Sequence, residues 1–277
     1  AGGLAAAGLL PAGCGGSSVP FPTASPSPSP GATPTPAPTP SPTPSPSPTR
    51  TVLVWSEGTA PKSVYPDDIN AAVAQGLTAM LPAHWRVRTA DIDDAGQGIR
   101  PEDLADADVL VWWAHLRHTE IADEAAERIA ARVREQGMGF VPIHSGSWGA
   151  KPYMRLTLHG GAWNGGSEVV GESNRILVAA PEHPVANGVT DFTIPEEERY
   201  LGTMQAPPPD AVVFDGVYEK DGLRGAQGLA WTLGAGRMFY FRPGHETFPV
   251  YFQPEVRRIL RNAVLWTGRD EASIGLN

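Results

Sequence analysis

Residues 108–143 read DVLVWWAHLRHTEIADEAAERIAARVREQGMGFVPI. Two short apolar runs, 108–113 and 139–143, flank a stretch in which Ile121, Ala125, Ile129 and Val133 recur every fourth residue among charges. An apolar run without polar alternation is what a strand covered on both faces requires. The i, i+4 stripe is one face of an amphipathic helix, expected over 120–136. Strand, helix and strand in that order join parallel strands through a right-handed crossover. The chain therefore reads as α/β, with a doubly wound sheet between helices on both faces.

Working outward, TVLVW at 51–55 and WRVRT at 85–89 are further strands. Between them Ile69, Val73, Leu77 and Met80 place a helix over 67–80. Downstream the pattern changes. Extended segments are expected at 175–179, 211–218, 229–233 and 237–241, with turns at Asp221-Gly222 and Gly234-Ala235-Gly236. A closing helix over 254–266 buries Val256, Ile259, Leu260, Ala263 and Val264. Pro254 suits its first turn, where a missing N–H costs nothing. The sheet should thus be mostly parallel, with extra strands in its C-terminal half.

Residues 20–50 are almost wholly Pro, Ser, Thr and Ala. Too few apolar side chains are present to offset the entropy of ordering, so a disordered, polyproline-rich linker is expected. Before it, residues 1–19 are small and apolar, and Leu10-Pro11-Ala12-Gly13-Cys14 resembles the lipobox of bacterial lipoproteins, with Pro11 where Leu is usual. That resemblance implies a signal-sequence remnant and a lipid anchor on Cys14. The domain would then sit outside the cytoplasm at the cell envelope, attached to the membrane by acyl chains alone. No apolar run reaches the roughly 18 residues of a spanning helix. The remainder, 51–277, is long enough for one domain with its own core. Cys14 is the only cysteine, so there is no intrachain disulfide, and a net charge of −9 argues against a nucleic-acid partner.

Three of the seven histidines stand where an apolar run ends: VLVWWAH at His115, MGFVPIH at His144 and RMFYFRPGH at His245. In an open α/β sheet the ligand crevice lies outside the carboxyl ends of the strands. Imidazole is a common acid–base group and the commonest metal ligand. One such histidine would be read as a strand cap bonded to a carbonyl; three together point to a shared reactive site.

The chain resembles the ThuA family, named for trehalose utilisation, within the class I glutamine-amidotransferase-like fold. VLVWSE at 52–57, YPDDINAAVAQGL from Tyr65, DVLVWWAH, GFVPIHSG, EHP at His183, IPEEERY and FYFRPGHETFPVYFQPEVRRILRNAVLW carry the resemblance. It implies a flavodoxin-like sheet. It also implies a reactive turn: where amidotransferases have G-x-C-x-G, this chain has Pro142-Ile143-His144-Ser145-Gly146, with imidazole in place of thiol. Glutamine hydrolysis through a thioester is therefore excluded. Residues 155–167 (RLTLHGGAWNGGS) depart from the family pattern, which often has a Cys and basic residues there. Family members are linked to disaccharide catabolism beside dehydrogenases that make 3-keto sugars.

Three readings of the site remain open. In the first, His115, His144 and His245 hold a divalent cation, zinc or manganese, and leave a position for substrate. Glu57 and Glu246 are then candidates for orienting the ligands or moving protons, Glu57 being equally a partner for a helix N-terminus, and His118 is a fourth ligand or a cap. The reaction would be isomerisation or cleavage of a 3-keto disaccharide or glycoside. In the second, Ser145 is a nucleophile served by His245 and Glu246, although no G-x-S-x-G elbow surrounds it. In the third, the domain is a non-catalytic sugar-binding module, with Trp148, Trp163 and Tyr153 stacking on rings. Arg242 and the run Glu196-Glu197-Glu198 would bond hydroxyls, the acidic run being otherwise a solvated loop. In each reading the partner is a small carbohydrate, and a homo-oligomer is allowed.

Overall fold

Every residue of strand β3 (Val109–Trp113) is buried, as a strand covered on both faces demands. In the computed structural model the described residues are 49–275, apart from Gly149 and Ala162, together with Gly16 and Pro20. The lipobox with Cys14 and most of the proposed linker lie outside them. Beside β3 run β1 (Arg50–Ser56), β2 (Trp85–Asp91), β4 (Gly139–Ile143) and β9 (Gly236–Phe241), all parallel, in the order β2-β1-β3-β4-β9. That is the flavodoxin-like order.

Alternation along β3 separates two cores. Val109, Val111 and Trp113 pack with α1 (Asp68–Met80) and α5 (Pro254–Thr267). Leu110 and Trp112 face α3 (Asp123–Gln136) and α4 (Lys151–Thr157). The adjacent tryptophans accordingly serve opposite sides. Trp112 stacks on Trp55 at 3.8 Å between centroids, and Trp113 Nε1 donates to the Gly244 carbonyl at 3.1 Å. Helix α5 buries the five apolar residues expected of it, with Val256, Ile259, Leu260 and Val264 each contributing about 1.5–3 kcal/mol to holding that face and Ala263 less.

From β9 the sheet continues antiparallel through β8 (Arg224–Leu233), β7 (Ala211–Tyr218) and β5 (Ser167–Val178) to the edge strand β6 (Phe192–Tyr200). Here the sequence expectations need correction. The segment expected at 175–179 is only the end of β5, whose first half is largely exposed and whose pairing with β6 shifts register around Glu172. Strand β6 was not expected at all, because Pro195 and three glutamates interrupt it. At a sheet edge a proline deprives no neighbour of a hydrogen bond, so it is tolerated. Glu197 and Glu198 are not on a solvated loop: they are 1% and 3% exposed. The helix expected from 120 begins at Asp123, after a 3₁₀ turn (His118–Glu120) and an extended Ile121. Among the described residues, no helix is long and apolar enough to cross a membrane.

Candidate functional site

Three loops leave the carboxyl ends of β3, β4 and β9, and each is fixed by a local device. After β3, the backbone N–H groups of His115, Leu116 and Arg117 converge on one oxygen of Glu57, at 2.9, 2.7 and 2.9 Å. Successive N–H groups turned inward form a nest for an anion, and the fully buried Glu57 carboxylate fills it. Of the two readings of Glu57, as a carboxylate serving the site and as a partner for backbone N–H groups, these bonds favour the second: Glu57 anchors the loop.

After β4 the chain turns sharply. His144 has φ of 53°, a strained value for a side chain of this kind. Gly146 permits the turn, because a Cβ there would lie 2.6 Å from the Trp112 carbonyl oxygen. After β9, Gly244 has φ of 134°, and a Cβ on it would run into the Tyr251 hydroxyl. Glu197 accepts from the N–H of Gly244 at 2.8 Å and of His245 at 3.4 Å. Burial pushes its pKa up to about 8.

These devices bring the three imidazoles together. Ring centroids are 5.1 Å apart for His115 and His144, 5.0 Å for His115 and His245, and 5.4 Å for His144 and His245. Glu246 completes the group, and one potential ligand atom from each of the four lies within 4.8 Å of the others. His115 Nδ1 bonds both Glu246 oxygens, at 2.8 and 3.0 Å, while His245 Nδ1 meets Thr247 Oγ1 at 2.8 Å. Burial, then the charges of His115 and His245, drive the His144 pKa well below its ordinary value, so this ring is neutral. Burial also lowers His245. For His115 burial pulls downward, but the bond and charge of Glu246 outweigh it and the net shift is upward. His118 stays outside the group: its Nδ1 donates to the His115 carbonyl at 2.9 Å, as a cap.

Beside the cluster lies a cavity of about 110 Å³, lined by His115, Ser145, Trp148, Trp163, Glu198 and Tyr200 among others. This is below the roughly 300 Å³ at which small-molecule sites usually begin, so it would hold part of a ligand and leave the rest outside. Ser145 Oγ meets the Tyr200 hydroxyl at 3.0 Å, and among the described residues no imidazole hydrogen-bonds to it, so no base is in place for a serine nucleophile. Tyr200 in turn reaches His144 Nδ1 at 3.3 Å.

A family model described as trehalose utilisation, ThuA, matches residues 51–267. The chain belongs to the ThuA family. The domain's fold is similar to that of a ThuA-like protein from Parabacteroides merdae, with 16% identity and a TM-score of 0.56 over 80% of this chain and 90% of that one. A ThuA-like protein from Bacteroides uniformis (16%, 0.53, 79% and 91%) is also similar, as is a protein from Salmonella typhimurium described as cytoplasmic (14%, 0.53, 78% and 98%). At such identities the likeness is one of fold. No curated protein sequence matches the chain.

Within the ThuA domain, the segment 155–167 supplies Trp163, Gly166 and Ser167 to the cavity lining. Two residues expected to touch substrate do not line it. Tyr153 is fully buried in the core beside α3, because helix α4 turns it inward. Arg242 is 1% exposed, bonds Gln227 at 2.8 Å, and stacks on Trp163, Tyr200 and Tyr218 at 5.0, 5.3 and 5.1 Å. It braces the aromatic wall. Glu198, offered with Glu196 and Glu197 as a partner for hydroxyls, does line the cavity, and so does Tyr200, which was not singled out from the sequence. Their spacing of two within one strand, which puts both on one face, was the available signal.

The four-residue group fits a divalent cation. His144 Nε2 is buried without a hydrogen-bond partner, and the donors are nitrogen and oxygen only. Tetrahedral ligands about 2.1 Å from one ion are about 3.4 Å apart, so atoms separated by up to 4.8 Å would close by up to about 1.4 Å on binding it.

Proposed function

We propose that this ThuA domain is a metal-dependent enzyme that isomerises or cleaves an oxidised (3-keto) disaccharide or glycoside. The observation that carries the reading is the convergence of His115, His144, His245 and Glu246 on one point at the edge of an aromatic-walled cavity. A divalent zinc or manganese ion held there would act as a Lewis acid on the substrate carbonyl and so acidify the neighbouring C–H. The chain's own groups prepare for this. Glu246 fixes the His115 ring through Nδ1, and Thr247 does the same for His245, leaving each Nε2 available. Burial keeps His144 neutral, with a lone pair to donate. Trp148 and Trp163 provide aromatic surface on which a sugar ring would pack.

The test is metal analysis of the purified protein. About one equivalent of divalent metal is expected in the wild type and little in the His115→Ala, His245→Ala double variant. Equal content in both, or none in the wild type after reconstitution, refutes the reading. Metal bound without turnover of 3-keto disaccharides would leave a sugar-binding module instead. On the strength of the lipobox-like sequence we further propose an extracytoplasmic location with Cys14 lipidated. Cys14→Ser should then move the protein from the membrane to the soluble fraction, and unchanged fractionation removes that proposal.

A further inference from the structure

Glu198 is the one carboxylate among the described residues that line the cavity. It is 3% exposed, lines the cavity, and among the described residues its Oε2 has no hydrogen-bond partner. It lies 3.5 Å from His144 Nε2 but is not one of the four residues whose ligand atoms converge. Its backbone is held firmly: the Tyr218 hydroxyl donates to the Glu198 carbonyl at 2.9 Å and accepts from the Tyr200 N–H at 3.1 Å. Hence the carboxylate is aimed at the cavity by its strand. No Lys or Arg side chain is in the lining; Arg242, whose two terminal nitrogens are buried without hydrogen-bond partners, lies behind Trp163 and Tyr200 at 5.0 and 5.3 Å from their rings.

A buried acceptor without a donor is costly to leave unmade, so the ligand that satisfies it is favoured over one that cannot. A sugar hydroxyl donates; a phosphate or carboxylate does not, and is repelled. The charge of an adjacent cation does not reverse this. Three neutral imidazoles and Glu246 would leave a divalent ion with one net positive charge, which Glu198 offsets.

We propose that Glu198 is the specificity-determining residue of the cavity, accepting a hydrogen bond from a ring hydroxyl and selecting uncharged polyhydroxylated sugars over phosphorylated or carboxylated ones. The choice of sugars as the ligand class rests on the function proposed above. The selectivity itself rests on the lining.

Calorimetric titration of the full chain with trehalose and with trehalose 6-phosphate tests it. The wild type should bind the neutral sugar at least about tenfold more tightly than the phosphate. Glu198→Gln, which keeps the shape, should weaken neutral-sugar binding about tenfold and narrow the preference, with metal content unchanged. Equal affinities in the wild type, no binding of trehalose, or a preference unchanged in Glu198→Gln would each overturn the proposal. Loss of metal in that variant would also overturn it, by making Glu198 a ligand. If the wild type binds no metal, the proposed function fails while sugar selectivity stays measurable, so the two failures are distinct.

Discussion

His144 and Tyr200 lie 5.9 Å apart, ring to ring, yet they come from halves of the sheet built on different rules. His144 ends a fully buried parallel strand, whose position is set by hydrophobic cover on both faces. Tyr200 ends the antiparallel edge strand, whose pairing with β5 shifts register. The parallel half contributes the three imidazoles. The antiparallel half and the loop before it contribute Glu198, Tyr200, Trp163 and Ser167, which shape the cavity. The imidazoles thus stand on the more constrained scaffold, and most of the groups that shape the cavity stand on the other. An edge can change its loops without disturbing ladder hydrogen bonds on both sides, whereas a central strand cannot.

That division can be broken experimentally. His144→Ala should lower zinc or manganese affinity by more than about 100-fold, since even groups that only orient ligands carry about 10–100-fold. Equilibrium dialysis measures it, and an unchanged affinity would move the centre away from the parallel rim. Next in size, Glu57→Ala leaves three N–H groups without their acceptor and should cost about 2–4 kcal/mol of stability, read from denaturant unfolding. A change below about 1 kcal/mol would mean that water replaces the carboxylate and that the loop is not clamped. Glu246→Gln should weaken metal binding about 10–100-fold with little effect on unfolding, by removing the charge that orients His115. The smallest effect belongs to the wall. Trp148 is 46% exposed, so Trp148→Ala should change stability by no more than about 0.5 kcal/mol and leave metal content intact. Its sugar affinity should fall about fivefold, on the order of 1 kcal/mol, and a metal defect in this variant would blur the two halves into one.

The same contrast governs how far the letters could be read. Strands β1, β3 and β4 and helices α3 and α5 were legible because cover on both faces, or on one stripe, imposes a local pattern. The three histidines were legible as strand ends. Strand β6 was not, because Pro195 and the glutamate run look the same on a solvated loop as on a protected edge. Glu57 could be read equally as a carboxylate serving the site or as a partner for a helix N-terminus, because its letter says nothing about the three N–H groups that meet it. Tyr153 and Arg242 were read as substrate contacts for a similar reason. An aromatic and a guanidinium near a crevice have identical codes whether they face it or brace it.

Burial periodicity is a property of consecutive residues, so the order of elements, the parallel half of the sheet and the placing of His115, His144 and His245 at strand ends followed from the chain alone. Pairing between distant segments is not such a property. Only the folded sheet decided that Glu57 and Glu197 would clamp loops, that Glu246 would join the imidazoles, and that Glu198 would face the cavity with an oxygen unpaired. The physical reason is that the cost of a buried carboxylate depends on which donors surround it, and those donors arrive from strands brought together by register.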